Sequence, residues 1–269
     1  MTGRIVGMVL VRNEDIFLER VMRNIAQFCD RIHAVDHVSS DRTWDILRAL
    51  DGDYEHLDVR RVRHAGDSHK VLEPYAGTAT WIFGVDGDEI YDPARLAGFR
   101  DELLGGAYDR EFKIASNVLN CVDLDQARRI ATGYLSPPSR SITKLYNFGV
   151  IDAWAGDGSE RLHGGSILFR NGYDERAVDN IGERIPWDET PLRCLHACFL
   201  ERSSSEPPRA DDNPHGRPIL EETQLQDRSW RGDLKRRLRP RRPPDESGWK
   251  REKYMRGDLV TVDASPFFS

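Results

Sequence analysis

Short apolar runs and helical segments alternate along the first part of the chain, and this alternation constrains the fold more than any other feature. The apolar runs are rich in β-branched residues and cover residues 4–11, 32–36, 57–62 and 80–85. Between them, apolar side chains recur every three or four residues, which is the spacing of one helix face. Alternating strands and helices are typical of a parallel sheet with helices on its faces and right-handed connections. The sequence therefore predicts an α/β fold.

Helix start signals follow three of these runs. Residues 13–15 (NED) and 39–41 (SSD) carry the acidic, amide and hydroxyl side chains that cap helix N-termini. Asp92 and Pro93 offer a cap and a first-turn proline for a helix that is expected to end near Leu104.

The second half of the chain changes character. Residues 111–122, 141–148 and 162–170 have the composition of longer strands with glycine turns, which indicates a mixed sheet. Residues 202–218 form a loop rich in Ser, Pro and Asp. The aromatic segment 249–268 is expected to pack back on the core.

Composition excludes several classes of protein. Of the 269 residues 39% are apolar, and 10 Phe, 8 Tyr and 6 Trp are enough to build a core, which excludes wholesale disorder. No stretch approaches the roughly 18 apolar residues that a membrane span needs. The four cysteines have no regular spacing, and the chain starts with a strand rather than a signal-peptide pattern. We therefore expect a cytoplasmic protein.

Positive charge is concentrated in residues 231–242, RGDLKRRLRPRR, where seven basic residues and one acid give +6. The whole chain carries −6, so the remainder carries −12 and nucleic acid is not an expected partner. Three interpretations of the segment stay open. It is a solvated helix, a contact for anionic groups of a ligand, or a weak peripheral contact with an anionic membrane, where each basic residue contributes about 1 kcal/mol.

The apolar run at 80–85 ends in the acidic sequence Asp86-Gly87-Asp88-Glu89. Ligands of open parallel sheets bind beyond the carboxyl ends of the strands. Asp86 and Asp88 are two residues apart, so in extended backbone they would point to one side, and Gly87 would let the chain bend. Mg²⁺ and Mn²⁺ prefer such oxygen ligands and keep positions for phosphate and water. An acidic turn before a helix is the structural alternative, and the position after a buried strand favours the cation site.

Three segments, in this order and spacing, resemble the family 2 glycosyltransferases of the GT-A fold. They are VRNE (11–14), VDHVSSDRT (35–43) and WIFGVDGDE (81–89), and the resemblance covers roughly residues 4–105. It implies a GT-A type α/β fold, with a mostly parallel nucleotide-binding sheet flanked by helices and a mixed-sheet acceptor half. It also implies a nucleotide-diphosphate-sugar donor, a divalent metal and an inverting single displacement.

The resemblance divides the chain into three parts. Residues 1–110 would bind the nucleotide sugar, residues 111–200 would bind the acceptor and carry the catalytic base, and residues 201–269 would form a loop, the basic segment and a tail. The acceptor would be a small molecule or a glycan, such as a natural product or a cell-wall or polysaccharide precursor. A UDP-sugar is favoured as donor over a GDP- or TDP-sugar.

Individual roles also follow from the resemblance. Asp36 would contact the nucleobase or ribose, and Asp86 and Asp88 would hold Mn²⁺ or Mg²⁺. Many family members have a second acid directly after the first, whereas this chain has His37. The donor-binding residues implied in full are Val11, Asn13, Glu14, Asp36, Asp41 and Asp86.

An inverting transferase needs a carboxylate near the acceptor hydroxyl to take its proton. Residues 152–165, DAWAGDGSERLHGG, form a glycine-rich loop that contains Asp157 and Glu160. Either residue could be the catalytic base, with Asp157 slightly favoured, and an ordinary acidic turn is the alternative. Asp188 and Glu189 are the next candidates.

The segment LRCLHACF at residues 192–199 would place Cys194, His196 and Cys198 on one face of a strand. His196 resembles the late histidine that some GT-A enzymes add to the metal or the diphosphate. A core histidine is the alternative, and a Cys-His-Cys zinc site would lack a fourth ligand.

Two other functions compete with a glycosyltransferase. A nucleotidyltransferase that makes sugar nucleotides normally has a glycine-rich loop after its first strand, and residues 11–14 contain no glycine. A non-catalytic sugar-binding or scaffold protein would not need Asp36, Asp86 and Asp88 together. Lys70 and Arg63 are either extra phosphate contacts or solvated surface charges.

Overall fold

The computed structural model describes residues 3–155, 166–205 and 253–269. The α-helices are α1 (Leu18–Ile25), α2 (Thr43–Asp53), α3 (Pro93–Leu104) and α4 (Ile181–Arg184). The strands are β1 (Arg4–Val11), β2 (Arg31–Asp36), β3 (Leu57–Arg61), β4 (Thr80–Asp86), β5 (Glu89–Tyr91), β6 (Lys113–Asp125), β7 (Ile130–Leu135), β8 (Ile142–Asn147), β9 (Ile151–Ala155), β10 (Ser166–Phe169), β11 (Val178–Asn180), β12 (Arg193–His196) and β13 (Leu259–Asp263). Short 3₁₀ segments cover Ala65–Tyr75, Phe148–Val150 and Ser265–Phe268.

The amino-terminal part forms a parallel sheet in the order β3-β2-β1-β4. All four predicted strands and the helices α1, α2 and α3 are present within a few residues of their expected positions. The α/β prediction is therefore confirmed, because the strand–helix alternation of this region is local and strongly patterned.

The second part of the sheet is mixed, as the sequence indicates. Strand β8 pairs antiparallel with β4, and the sheet continues through β6, β7 and β13. Strands β11 and β12 run parallel to β6, β5 pairs with β12, and β9 and β10 form a separate hairpin. Five strands were not expected from the sequence: β5, β7, β9, β11 and β13. Of the strand predicted at 162–170, residues 166–169 are observed and residues 162–165 lie outside the described part.

Side chains of β1 alternate between two hydrophobic clusters on the two faces of the sheet. Ile5, Val9 and Val11 belong to the larger cluster, which also takes the buried faces of α1, α2 and α3. Val6 and Met8 belong to the smaller cluster beneath the 3₁₀ segment Ala65–Tyr75. This period of two is what a strand buried on both faces requires.

Asp92 fixes the start of α3, as predicted. Its Oδ1 accepts hydrogen bonds from the backbone N–H groups of Ala94 and Arg95 at 3.1 and 3.2 Å. Its Oδ2 accepts from Arg193 Nη2 at 2.8 Å and Nε at 3.1 Å. Arg193, at the start of β12, was not anticipated, and it ties the cap to the second half of the chain.

The carboxyl-terminal residues pack on the core, as expected from their aromatic content. Strand β13 pairs antiparallel with β7, and Phe267 stacks on Trp187 with ring centroids 5.9 Å apart. Within the described ranges, no helix has the length and apolar character to cross a membrane. The basic segment 231–242 lies outside the described residues, so its three interpretations stay open.

Candidate functional site

The carboxyl ends of β1, β2 and β4 meet at one edge of the parallel sheet. The strand register pairs Val11 with Asp36 and Leu10 with Asp86. Two predicted donor-site acids and the first residue of the VRNE segment therefore lie at adjacent strand ends, where open α/β sheets bind ligands.

Asp36 is fully buried at the end of β2. Its oxygens accept hydrogen bonds from Ser39 N–H at 3.1 and 3.2 Å, and Arg61 Nε lies 2.8 Å from Oδ2. Arg61 Nη2 also donates to the backbone oxygen of Ser39 at 2.7 Å. Asp36 therefore holds the turn that follows β2, and the predicted contact with a nucleobase or ribose stays a prediction.

The loops after β1 and β2 are joined by side-chain hydrogen bonds. Asn13 adopts a positive φ of 52°, its N–H donates to Ser39 Oγ at 3.0 Å, and its Oδ1 accepts from Ser40 N–H at 2.8 Å. Asp41 Oδ1 accepts from Thr43 N–H at 2.9 Å at the start of α2. In the structure Asp41 thus accepts from the first residue of α2, and its role toward a nucleotide-sugar donor stays a prediction.

The acidic sequence at the end of β4 is not extended. Strand β4 ends at Asp86, Gly87 and Asp88 form a tight turn, and β5 begins at Glu89. Consequently Asp86 and Asp88 do not point to one side as expected: the Asp86 side chain is 58% exposed and that of Asp88 only 2%.

A glycine is needed at position 87 because Glu14 and Val11 approach its backbone closely. A Cβ atom at this position would lie 2.1 Å from Glu14 Oε2 and 2.9 Å from Val11 Cγ1. The absence of a side chain lets the VRNE loop pack directly on the turn, so Glu14 reaches Asp88.

Lys144, in the middle of β8, forms ion pairs with two acids at this edge, Asp86 and Glu89. Its Nζ lies 3.1 Å from Asp86 Oδ2 and 2.6 Å from Glu89 Oε1. Burial alone would lower the pKa of Lys144, but the charges of Asp86 and Glu89 outweigh it and raise that pKa. Burial raises the pKa of Glu89 well above its usual value, and Lys144 opposes this increase.

Arg202, which follows β12, forms ion pairs with two further acids, Glu14 and Asp88. Its Nη1 lies 2.9 Å from Glu14 Oε1 and 3.0 Å from Asp88 Oδ2. Burial raises the pKa of Glu14 well above its usual value, Arg202 opposes this increase, and the nearby charge of Asp88 adds to it. We refer to Glu14, Asp86, Asp88 and Glu89 as the acidic cluster.

Residues 202–204 lie across the loops after β1 and β2. Ile16 N–H donates to the backbone oxygen of Arg202 at 3.0 Å, and Ser203 Oγ donates to Asp41 Oδ2 at 2.6 Å. Ser204 N–H donates to Asp15 Oδ1 at 2.7 Å. Burial would raise the pKa of Asp15, but the hydrogen bonds from Ser204 and Arg42 together outweigh it and lower that pKa.

His196 lies beside the cluster at the end of β12. Its Nδ1 is 2.9 Å from Asn120 Oδ1, which can only accept, so Nδ1 carries the proton and Nε2 faces Asp88 Oδ1 at 3.9 Å. Strand β12 ends at His196, so Cys198 follows in a turn rather than in the strand as expected, and its Sγ lies 3.8 Å from the same Asn120 Oδ1.

The predicted metal ligands do not fit a metal in this arrangement. Asp86 pairs with Lys144, Asp88 pairs with Arg202, and His196 is 3.9 Å from Asp88. Among residues 3–155, 166–205 and 253–269, no three His, Cys, Asp or Glu side chains are grouped closely enough to hold one. The divalent metal therefore stays a prediction from the resemblance, and no chemical step is assigned to it.

The structure describes two of the four candidate catalytic bases. Asp157 and Glu160 lie outside the described residues. Asp188 and Glu189 are exposed, and their backbone oxygens accept from Arg95 at the start of α3 at 2.5 and 3.4 Å. None of the hydrogen bonds and ion pairs described for these two residues reaches the acidic cluster.

The proposed phosphate contacts Lys70 and Arg63 lie after β3. Lys70 Nζ pairs with Asp67 Oδ1 at 2.6 Å, and the backbone oxygen of Arg63 is 3.0 Å from His37 Nε2. Lys70 also lines a cleft of about 320 Å³, together with Val35 and Ser68. Val35 precedes Asp36 in β2, so the two side chains face opposite sides of the sheet, and none of the residues that line the cleft belongs to the acidic cluster.

Comparison with known proteins gives low similarity. No protein-family model and no curated protein matches the chain. Among solved structures, S. aureus TarS 1–349 matches with a TM-score of 0.37 and 17% identity over 55% of this chain and 48% of that one. A second structure of that protein, in complex with UDP, gives the same TM-score and identity.

Glucosyl-3-phosphoglycerate synthase from Mycobacterium tuberculosis, in complex with Mn²⁺, UDP and glucosyl-3-phosphoglycerate, matches with a TM-score of 0.34 and 19% identity. That match covers 43% of this chain and 44% of the synthase. The matched region thus spans less than half the length of these proteins. Similarity at this level does not assign an activity to the chain.

The packing of Gly87 against Glu14 gives a stability prediction. We expect Gly87→Ala to lower the free energy of unfolding by about 1–3 kcal/mol, because Glu14 must move and its pairing with Arg202 is disturbed. Urea denaturation measures the change. Gly52→Ala is the control and should not destabilise, since outside helix α2 itself nothing lies within 4 Å of a Cβ there and alanine is favoured over glycine inside a helix. Equal stability of Gly87→Ala and the wild type would contradict the packing.

Proposed function

We propose that the protein is a glycosyltransferase that moves a sugar from a nucleotide-diphosphate sugar to an acceptor hydroxyl. The observation that carries the proposal is the convergence of the three family-like segments at the ends of β1, β2 and β4. Residues far apart in the sequence, such as Glu14 and Asp88, meet through Arg202 at this edge.

The chemistry is a single displacement. The acceptor oxygen attacks the anomeric carbon, the bond from this carbon to the phosphate oxygen breaks, and its electron pair leaves with the nucleoside diphosphate. The proton of the acceptor hydroxyl passes to a carboxylate, and the anomeric configuration inverts. Residues 1–110 would hold the donor and residues 111–200 the acceptor. A UDP-sugar is the first donor to test, and the acceptor is a small molecule or a glycan.

In this scheme side chains of the protein stabilise the leaving diphosphate and fix the loops near the nucleoside. Positive charge near the diphosphate stabilises the leaving group as the bond to the sugar breaks. Lys144 and Arg202 are the cations paired with the acidic cluster in the described structure. Asp36 and Asn13 fix the loops that would face the nucleoside.

A donor panel tests the proposal. The protein is incubated with UDP-, GDP- and TDP-sugars without acceptor, and released nucleoside diphosphate is measured by chromatography. We expect slow hydrolysis of at least one donor, because water can replace the acceptor. In a separate incubation with a nucleoside triphosphate and a sugar phosphate, formation of a sugar nucleotide would instead identify a nucleotidyltransferase. No turnover and no binding of any nucleotide would contradict both activities.

The base prediction uses a pair of variants. Asp157→Asn should lower donor turnover by about 10²–10⁴-fold, because a positioned base contributes this much to proton transfer. Nucleotide binding, measured by calorimetry, should be unchanged, since the base does not touch the diphosphate. Glu160→Gln is the matched variant.

The two variants separate the possible outcomes. If turnover is lost only in Glu160→Gln, the base is Glu160. If both variants keep wild-type turnover, the assignment of the base to this loop is wrong, and Asp188 and Glu189 are the next residues to substitute.

A further inference from the structure

Two protein cations are paired with the acids that the sequence assigns to a metal. Lys144 Nζ is 3.1 Å from Asp86 Oδ2, and Arg202 Nη1 is 3.0 Å from Asp88 Oδ2. Together the two side chains carry the charge of one divalent cation. A metal bound through these two oxygens would have to displace both side chains, and the loss of the largely buried pair between Asp88 and Arg202 is unfavourable.

The position of Arg202 does not depend on its ion pairs alone. Its backbone oxygen accepts from Ile16 N–H, and the two residues that follow are held by Asp41 and Asp15. The segment that carries the guanidinium is therefore held against the loops after β1 and β2, and this places the guanidinium beside Glu14 and Asp88.

The two cations differ in how much of the side chain is exposed to solvent. The Arg202 side chain is 20% exposed, whereas that of Lys144 is 6% exposed and lies between Asp86 and Glu89. A guanidinium stays charged at any physiological pH and presents donors in a planar fork that matches phosphate oxygens. Arg202 is thus suited to contact a ligand, and Lys144 is suited to cancel the charge of the exposed Asp86.

We infer that Arg202 contacts the diphosphate of the nucleotide, with Lys144 as a positioning residue, so that nucleotide binding does not require a divalent cation. This inference rests on the proposed function, because it concerns the same donor site. It replaces the metal expected at Asp86 and Asp88 by charges that the chain itself supplies.

The test compares nucleotide binding with and without metal. UDP, GDP and TDP are titrated into the wild-type protein by calorimetry, in EDTA and in MnCl₂. For the nucleotide that binds, we expect dissociation constants that agree within about threefold. A larger tightening by Mn²⁺ overturns the inference and leaves the proposed function intact. No binding of any nucleotide in either buffer contradicts the proposed function, and with it the inference.

Variants separate a contact with phosphate from a structural role. Arg202→Gln should weaken nucleotide binding in EDTA by about tenfold or more, because a charged hydrogen bond is lost. Arg176→Gln is the matched control, since Arg176 is exposed and pairs with Asp174. Unchanged binding by folded Arg202→Gln overturns the inference.

Arg202→Lys keeps the charge and is used if Arg202→Gln does not fold. It should bind the nucleotide in EDTA more weakly than the wild type and more tightly than any folded neutral variant at this position. Its binding should also weaken more steeply than that of the wild type as salt is added, because a single point charge replaces the fork. Binding equal to that of the wild type at every salt concentration overturns the role of the guanidinium.

Discussion

Ion pairs between the acidic cluster and two cations connect the two halves of this fold. All four acids come from the amino-terminal part, at the ends of β1 and β4 and the start of β5. Both cations come from the second part, Lys144 from β8 and Arg202 from the segment after β12. Loss of one member of such a pair leaves a buried charge without compensation and is strongly destabilising. The edge of the parallel sheet is therefore organised only when the mixed sheet has folded beside it.

The parallel sheet decides where this cluster lies. Adjacent parallel strands end at the same edge, so Val11, Asp36 and Asp86 become neighbours although they belong to different strand–helix units. Close packing then fixes the details: Gly87 admits Glu14, and Asp36 closes the turn after β2 through Ser39. The loops after β1 and β2 are thus held by hydrogen bonds within the protein, which is the preorganisation that a binding site requires.

Much of the first half could be predicted from the sequence because its signals are local. Apolar runs gave the four parallel strands, and Asp92 with Pro93 gave the start of α3. The direction of the Asp86 and Asp88 side chains was not predictable in this way, because it depends on a turn that packs against Glu14.

The cations required contacts between distant parts of the chain. Lys144 is 58 residues from Asp86, and Arg202 is 114 residues from Asp88. Lys144 had one available signal, a charged residue inside the apolar strand ITKLYN in a chain with 6 lysines. Arg202 had none, since it is one of 33 arginines.

The central claim is that a nucleoside diphosphate binds at the shared edge of β1, β2 and β4. Backbone amide chemical shifts, recorded by NMR during titration with UDP, GDP or TDP, test it directly. We predict that the largest shifts fall on residues 11–15, 37–41, 86–88 and 202–204. Largest shifts on residues 67–71, around the separate cleft lined by Ser68 and Lys70, would contradict the claim.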